Sequence, residues 1–378
     1  MYEILIETPI RWLITKTLDK LFSGGVNLHS LRSFRDRNEI FKKKSELISD
    51  SDLFKFYGKE DHIISHASGK TDFLPACYFI KPQELETRII KLRWSAEKRK
   101  LSQDTSDFTA PLLDELSKAT IKKKKHIFDG EPFCIKSIQK SKNKIEICIA
   151  RCSYFDSLRT HFSADVILNG TTLRRKLASE NQKLPDLGSL ELTWHMGVVG
   201  IIETADNKLI LQQRSKNVAN RPNSLSASCS GTIEGNDMLE LEEDFDGRER
   251  IYGGLNRECI KEIGASFSSR ENLPTFLGGI REYYRIGFPD FYFYSKITRT
   301  SDEIKKYSKT AEERSEFYNL AFFDFNSAEF LSNPITKRSD FDKRVISINK
   351  ILQKRGNITA IIGLSLTYDF ILRKANNE

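Results

Sequence analysis

Residues 257–264, "RECIKEIG", set Glu258 and Glu262 four positions apart. On a helix that spacing stacks the two carboxylates one turn apart on one face, with Lys261 on its flank. Such a pair can grip Mg2+, an oxygen-seeking ion that is usually held by one or two carboxylates together with substrate phosphates. Glu249 lies two turns and a fraction before Arg257, near enough to orient that arginine across the helix start. Gly253 and Gly254 suit close approach to a sheet, although each weakens a helix by roughly 0.5–1 kcal/mol relative to Ala. The plainer use of glutamates at this spacing is a solvated helix face, since Glu is a common helix former.

The elements that must position this helix are readable on both sides of it. "MGVVGIIETADNKLILQQRS" (196–215) has the alternation of two strands joined by a turn at Asp206-Asn207, and it ends at Arg214. "SLSASCSGTIEGND" (224–237) leads through Gly231 to an acidic insertion, "MLELEEDFDG", ahead of the helix. After the helix, "FLGGIREYYRIGFPDFYFYSKI" (276–297) gives two aromatic strands, and "AEERSEFYNLAFFDF" (311–325) a closing strand.

This order of elements resembles the Nudix hydrolase family, whose signature is G-x5-E-x7-R-E-U-x-E-E-x-G-U with U apolar. Glu249, seven residues, then Arg257-Glu258-Cys259 matches E-x7-R-E-U; Glu262, Gly264 and Ala265 match the later positions. Lys261 stands where the family carries the first glutamate of its pair, and the glycine turn "SGTIEGND" lies roughly a dozen residues further upstream than the signature places it. The resemblance covers about 191–330. It implies an α/β protein, a Nudix-like α/β/α sandwich with a mixed sheet, preceded here by an α+β N-terminal domain. It also implies cleavage of a pyrophosphate linkage in a nucleoside diphosphate derivative, with Mg2+ or Mn2+ clamping the phosphate oxygens and acidifying a water. Carried over residue by residue, Glu258 and Glu262 would be metal ligands with the Gly231 carbonyl as a third, and Arg257, Glu249 and Gly264 a structural brace. The base is open among Glu282, Glu234 and Asp237. Lys261, Arg214 and Tyr283 would face substrate. Trp194, Tyr283 and Tyr284 are candidates to stack a base, against core packing as the commoner use. Replacing Glu by Lys at 261 changes local charge by two units beside ions that need negative ligands. The alternative reading is therefore a catalytically degenerate domain that binds a nucleotide as a sensor or regulator.

The rest of the chain carries no comparable motif. Of 378 residues, 1–190 hold 34 Lys/Arg against 25 Asp/Glu, whereas 191–378 hold 26 against 27, so the net charge of +8 lies in the first half. Its densest runs, within 91–126, suit nucleic acid or another polyanion, or are solvated faces. Periodicity predicts helices through 1–60, 84–101 and 109–125, a strand at 72–80 and a hairpin around "KSKN". The expected division is 1–187 (helical to 125, β-rich from 126) and 188–378, at the Pro/Gly-punctuated linker 183–192. "SGKT" (68–71) lacks the first glycine and the feeding strand of a phosphate-binding loop. Six cysteines without CxxC pairs read as plain thiols of a reducing compartment. With neither a signal peptide nor a membrane span legible, a cytoplasmic protein is expected.

Overall fold

The computed structural model describes residues 45–46, 48–65, 72–121, 130–178, 182–216, 223–234, 247–267, 273–313, 317–332 and 334–377. The helices expected within 1–44, the "SGKT" stretch, the lysines of 122–125, and Asp237 with most of the acidic insertion lie outside them. In chain order the first half forms α1 (Asp50–Phe56), β1 (His62–Ser65), β2 (Asp72–Ile80), α2 (Glu84–Thr87), β3 (Ile89–Ser95), α3 (Gln103–Ile121), β4 (Phe133–Lys140), β5 (Lys144–Arg151), α4 (Tyr154–Arg159) and α5 (Leu173–Ala178). The second half forms β6 (Gly197–Glu203), β7 (Lys208–Arg214), β8 (Leu225–Ser226), β9 (Cys229–Thr232), α6 (Gly247–Ile263), β10 (Thr275–Glu282), β11 (Phe288–Lys296), α7 (Ser301–Tyr307), β12 (Phe317–Asp324), α8 (Ser327–Ser332), α9 (Pro334–Arg355) and α10 (Ile358–Asn377).

Where the sequence predicts one helix over 84–101, only Glu84–Thr87 is helical, and Ile89–Ser95 is a strand parallel to β5. The β-branched and aromatic content of "IIKLRWS" fits a pleated surface, and tertiary packing selects it. Ile90 and Leu92 share one side of the strand and press on Gly247 at the start of α6. The basic residues around this strand are partly neutralised: Arg93 pairs with Glu146, Lys98 with Glu131, and Arg151 with Glu131.

Nine described strands make one mixed sheet in the order β1-β2-β10-β11-β6-β7-β12, with β9 also on β6 and β8 on β7. Only β11 and β6 run parallel in it. β10 takes β2 as its outer neighbour, from Gly279↔Ile80 to Glu282↔Ala76. The sheet therefore runs across the boundary expected at 187/188. The Pro and Gly of that linker mark a local turn, but they say nothing of which edge a distant strand will cover. β3, β5 and β4 form a second sheet, joined to the first by backbone hydrogen bonds: the N–H groups of Phe133 and Ile135 donate to the carbonyls of Ile233 and Trp194, and the Met196 N–H donates to the Phe133 carbonyl.

Alternation along β6 sets the layers. Gly200 faces Leu255 of α6, whereas Ile201, pointing the other way, packs on Gly363 of α10. α6 thus lies on one face of the large sheet, with β3 against its start, and α10 covers the opposite face. Among the described residues no helix is long and apolar enough to cross a membrane.

Candidate functional site

β6 and β7 part company after the turn pair Glu203↔Leu209. From there β6 pairs with β9 (Gly200↔Cys229 to Gly197↔Thr232) and β7 with β8 (Gln212↔Ser226, Gln213↔Leu225). A cleft of about 600 Å³ opens where these pairings diverge. Val198 and Val199 line it from β6, Arg214 from β7, Ser230 to Thr232 from β9, and Glu258 and Lys261 from α6. The first half of the chain lines it too, through Gly130 to Pro132, Tyr154 and Phe162.

Like Asp290 (3% exposed), Glu258 is a buried carboxylate of the cleft, 5% exposed. It lies so close over Gly231 that a β-carbon there would stand 2.1 Å from Glu258 Cδ, so only glycine fits. Arg257 Nη1 approaches Glu258 Oε1 at 2.7 Å, and Arg257 Nη2 donates to the Thr232 carbonyl at 2.6 Å. Burial nevertheless pushes the Glu258 pKa up to about 8; the Arg257 guanidinium opposes the rise, and Glu313 and Glu234 add to it. A cation bound beside Glu258 would favour its charged form against this desolvation. Lys261 Nζ stands 3.4 Å from Glu313 Oε1, and Glu313 N–H donates to the Lys261 carbonyl at 2.9 Å. Burial disfavours the Lys261 ammonium, as does Arg257, but Glu313 and Glu234 together outweigh them and its pKa is raised.

Glu262, one turn on, is 1% exposed and is not part of the cleft wall. Its Oε2 accepts from Gln212 Nε2 at 3.0 Å and from the Ser230 N–H at 2.9 Å, so it fastens α6 to β7 and β9. Gly264 ends the helix at φ 68, its N–H on the Ile260 carbonyl and the Ala265 N–H on that of Cys259. Glu249 is exposed on the first turn of α6. Among the described residues no three His, Cys, Asp or Glu side chains converge as a metal cage. The donors that fit a hard cation are the Glu258 carboxylate and the Gly231 backbone beneath it, an incomplete set of the kind Mg2+ completes with water and phosphate.

The other sequence candidates are distributed differently. Arg214 and Glu234 line the cleft. Glu282 is fully buried and accepts from Arg285, which also donates to Asp290 Oδ2 at 2.6 Å; Arg285 and Asp290, not Glu282, reach the cleft. Tyr283 is buried against the first half, its hydroxyl 2.6 Å from His62 Nδ1 and its ring 5.0 Å from that of Tyr57. Tyr284 bonds Asp50, and Trp194 donates to the Ser189 carbonyl at 2.9 Å while Arg281 covers its ring. The aromatic rings that do line the cleft are Tyr154, Phe162 and Phe288. Sequence reasoning passed over them, along with Glu313, Arg285 and Asp290. A charged residue inside the aromatic strand "FPDFYFY" was the one legible signal.

No family model matches the chain. Over 136 residues, 33% of this chain, it is 28% identical to Nudix hydrolase 9 of Arabidopsis thaliana, and the match spans 43% of that relative's length. Among solved structures it is similar to a MutT protein from Methanosarcina mazei Go1 (15% identity, 41% of this chain and 95% of that one, TM-score 0.23). It is likewise similar to DR0079 from Deinococcus radiodurans (11% identity, 40% and 82%, TM-score 0.24). These scores lie below the level at which a shared fold follows, and the rest of the chain is unrecognised.

Proposed function

We propose that the chain is a metal-assisted hydrolase of a pyrophosphate bond in a nucleoside diphosphate derivative, working in the cleft beside α6. The observation that carries this reading is Glu258: a buried carboxylate on the glycine-backed wall of the cleft, with Arg214 and Lys261 cationic on the same cavity. Glu258 and the Gly231 backbone would hold Mg2+ or Mn2+. Bound there, the ion supplies charge neutralisation of the pyrophosphate and acidifies a water. Arg214 and Lys261 neutralise the remaining phosphate charge. Arg257, held by the Thr232 carbonyl, keeps the Glu258 carboxylate against Gly231. Glu262 braces β9 from behind, and Glu282 acts through Arg285. Glu234, which faces Arg257 at 3.6 Å, and Glu313, which faces Lys261 at 3.4 Å, are the cleft carboxylates assigned to take a proton from water.

A second reading, nucleotide binding without cleavage, is favoured by one observation: the Lys261 ammonium already pairs with Glu313 at the position where a cation would otherwise be needed. A screen of nucleoside triphosphates, dinucleoside polyphosphates, ADP-ribose, NAD and nucleotide sugars with Mg2+ or Mn2+ separates the two. Hydrolysis is expected for at least one, and Glu258→Gln, which mimics the protonated acid in shape, should lower it by roughly 100-fold or more. Binding without turnover, including in Lys261→Glu, would establish the second reading instead. Full activity in Glu258→Gln would remove Glu258 from the mechanism.

A further inference from the structure

The cleft has two chemically different ends. Phe288 and Asp290 begin β11 and Arg214 ends β7, and these strands lie on either side of β6, whose Val198 and Val199 form the floor between them. The end near Arg214 and Lys261 carries the cations. At the other end stand three rings, Tyr154 and Phe162 from the first half of the chain and Phe288 from the second. Phe162 and Phe288 meet edge to face at 5.4 Å, and the Arg285 guanidinium lies 4.1 Å over Phe288 and 5.4 Å over Phe162.

Arg285 does not make this end a phosphate site. Its charge is already met by Glu282 and Asp290, so two carboxylates face one guanidinium and the local balance is negative. An anion is repelled there, whereas a flat, neutral group with N–H donors meets the half-buried rings of Tyr154 and Phe162, backed by the buried Phe288, and the Asp290 carboxylate at the wall. A cavity of about 600 Å³ is in the range of sites that take a nucleotide-sized ligand.

We infer that the first half of the chain supplies the nucleobase site of this cleft, with Tyr154 and Phe162 stacking the base beside Phe288 and Asp290, and the phosphates directed to Arg214 and Lys261. This rests on the proposed nucleotide ligand but requires no turnover. Tyr154 is held at its place by the start of α4, where its N–H donates to the Gly130 carbonyl at 3.1 Å, and its ring rests on His195 at 5.8 Å. The assignment gives the segment 130–162 a role as a specificity element.

The test is calorimetric titration of the full chain, with Mg2+ present, using the non-cleavable α,β-methylene analogues of ADP and UDP and, as a base-less probe, methylenediphosphonate. The wild type should bind at least one nucleoside analogue more tightly than methylenediphosphonate. Tyr154→Leu and Phe162→Leu should each weaken that analogue roughly tenfold while leaving methylenediphosphonate unchanged, and Tyr154→Phe should retain the wild-type affinity. Equal weakening of both probes, unchanged nucleotide affinity in the Leu variants, or no preference for a nucleoside analogue in the wild type would each overturn the assignment. Absence of hydrolysis with the base preference intact would instead defeat only the catalytic reading.

Discussion

Gly231→Ala would put a methyl carbon 2.1 Å from Glu258 Cδ and 2.3 and 2.5 Å from its two oxygens. Restoring ordinary contact near 3.5 Å requires the carboxylate to retreat by about 1.4 Å. A solvated glutamate would simply swing away, but this one is 5% exposed and pinned by Arg257 at 2.7 Å. Retreat must therefore either break that ion pair or push β9 off α6. Overpacking of this kind costs about 1–3 kcal/mol, and a loss of about 2 kcal/mol is expected in guanidinium unfolding followed by tryptophan fluorescence. Glu258→Ala removes the colliding group, so in that background Gly231→Ala should be almost silent, giving a coupling of about 2 kcal/mol between the two sites. An equal cost in both backgrounds would refute the reasoning, because the glycine would then be required by something other than the carboxylate above it.

Gly264→Ala meets both a left-handed backbone at φ 68 and the Tyr307 backbone 3.1 Å from the new carbon; a loss of about 2 kcal/mol is expected by the same unfolding assay. Gly264→Asn, which tolerates the backbone, should recover part of it. Arg174 is fully buried, paired to Asp165 at 2.6 Å and donating to the Tyr57 hydroxyl and the carbonyls of Tyr283 and Tyr284. Arg174→Ala should cost about 3–5 kcal/mol and lower the thermal midpoint sharply, and a change near zero would show that the contacts are replaceable. Burial brings the pKa of His161 and of His195 down to about 3, so unfolding makes each more basic. Their contribution is complete above the unfolded value near 6.5 and is lost as pH falls from there towards 3, at about 1.4 kcal/mol per pH unit per histidine. Urea midpoints between pH 7 and 4.5 should show this slope, and His195→Phe should remove about half of the share due to this pair.

Local signals carried the helix and its flanking strands. The alternation in 196–215 and the turn at Asp206-Asn207 become β6 and β7, with Asn207 at φ 59 as a left-handed turn residue. The four-residue spacing of Glu258 and Glu262 becomes one buried face of α6, yet their environments differ. Glu258 meets the cleft and Glu262 meets Gln212 and the Ser230 amide. That split depends on where β9 crosses the helix, which no spacing within α6 encodes. Tyr283 and Tyr284 were candidates because aromatic rings follow a strand of the right kind. Their positions are decided instead by His62, Tyr57 and Asp50, more than two hundred residues away in sequence. Tyr154 and Phe162 were illegible for the converse reason, since they belong to a segment with no motif and reach the cleft only through the second sheet.

The pairing of β2 with β10 also has a bearing on how the chain is made. Ile80 leaves the ribosome about 200 residues before its partner Gly279. At roughly 5–20 residues per second the wait is on the order of 10–40 s. Throughout it β2, which carries the apolar run Leu74 to Ile80, has β1 on one edge but not β10 on the other. Such a strand is open to pairing with the wrong chain. Yield of native protein should therefore depend on chaperone supply and growth temperature more steeply than the stability of the finished fold would suggest.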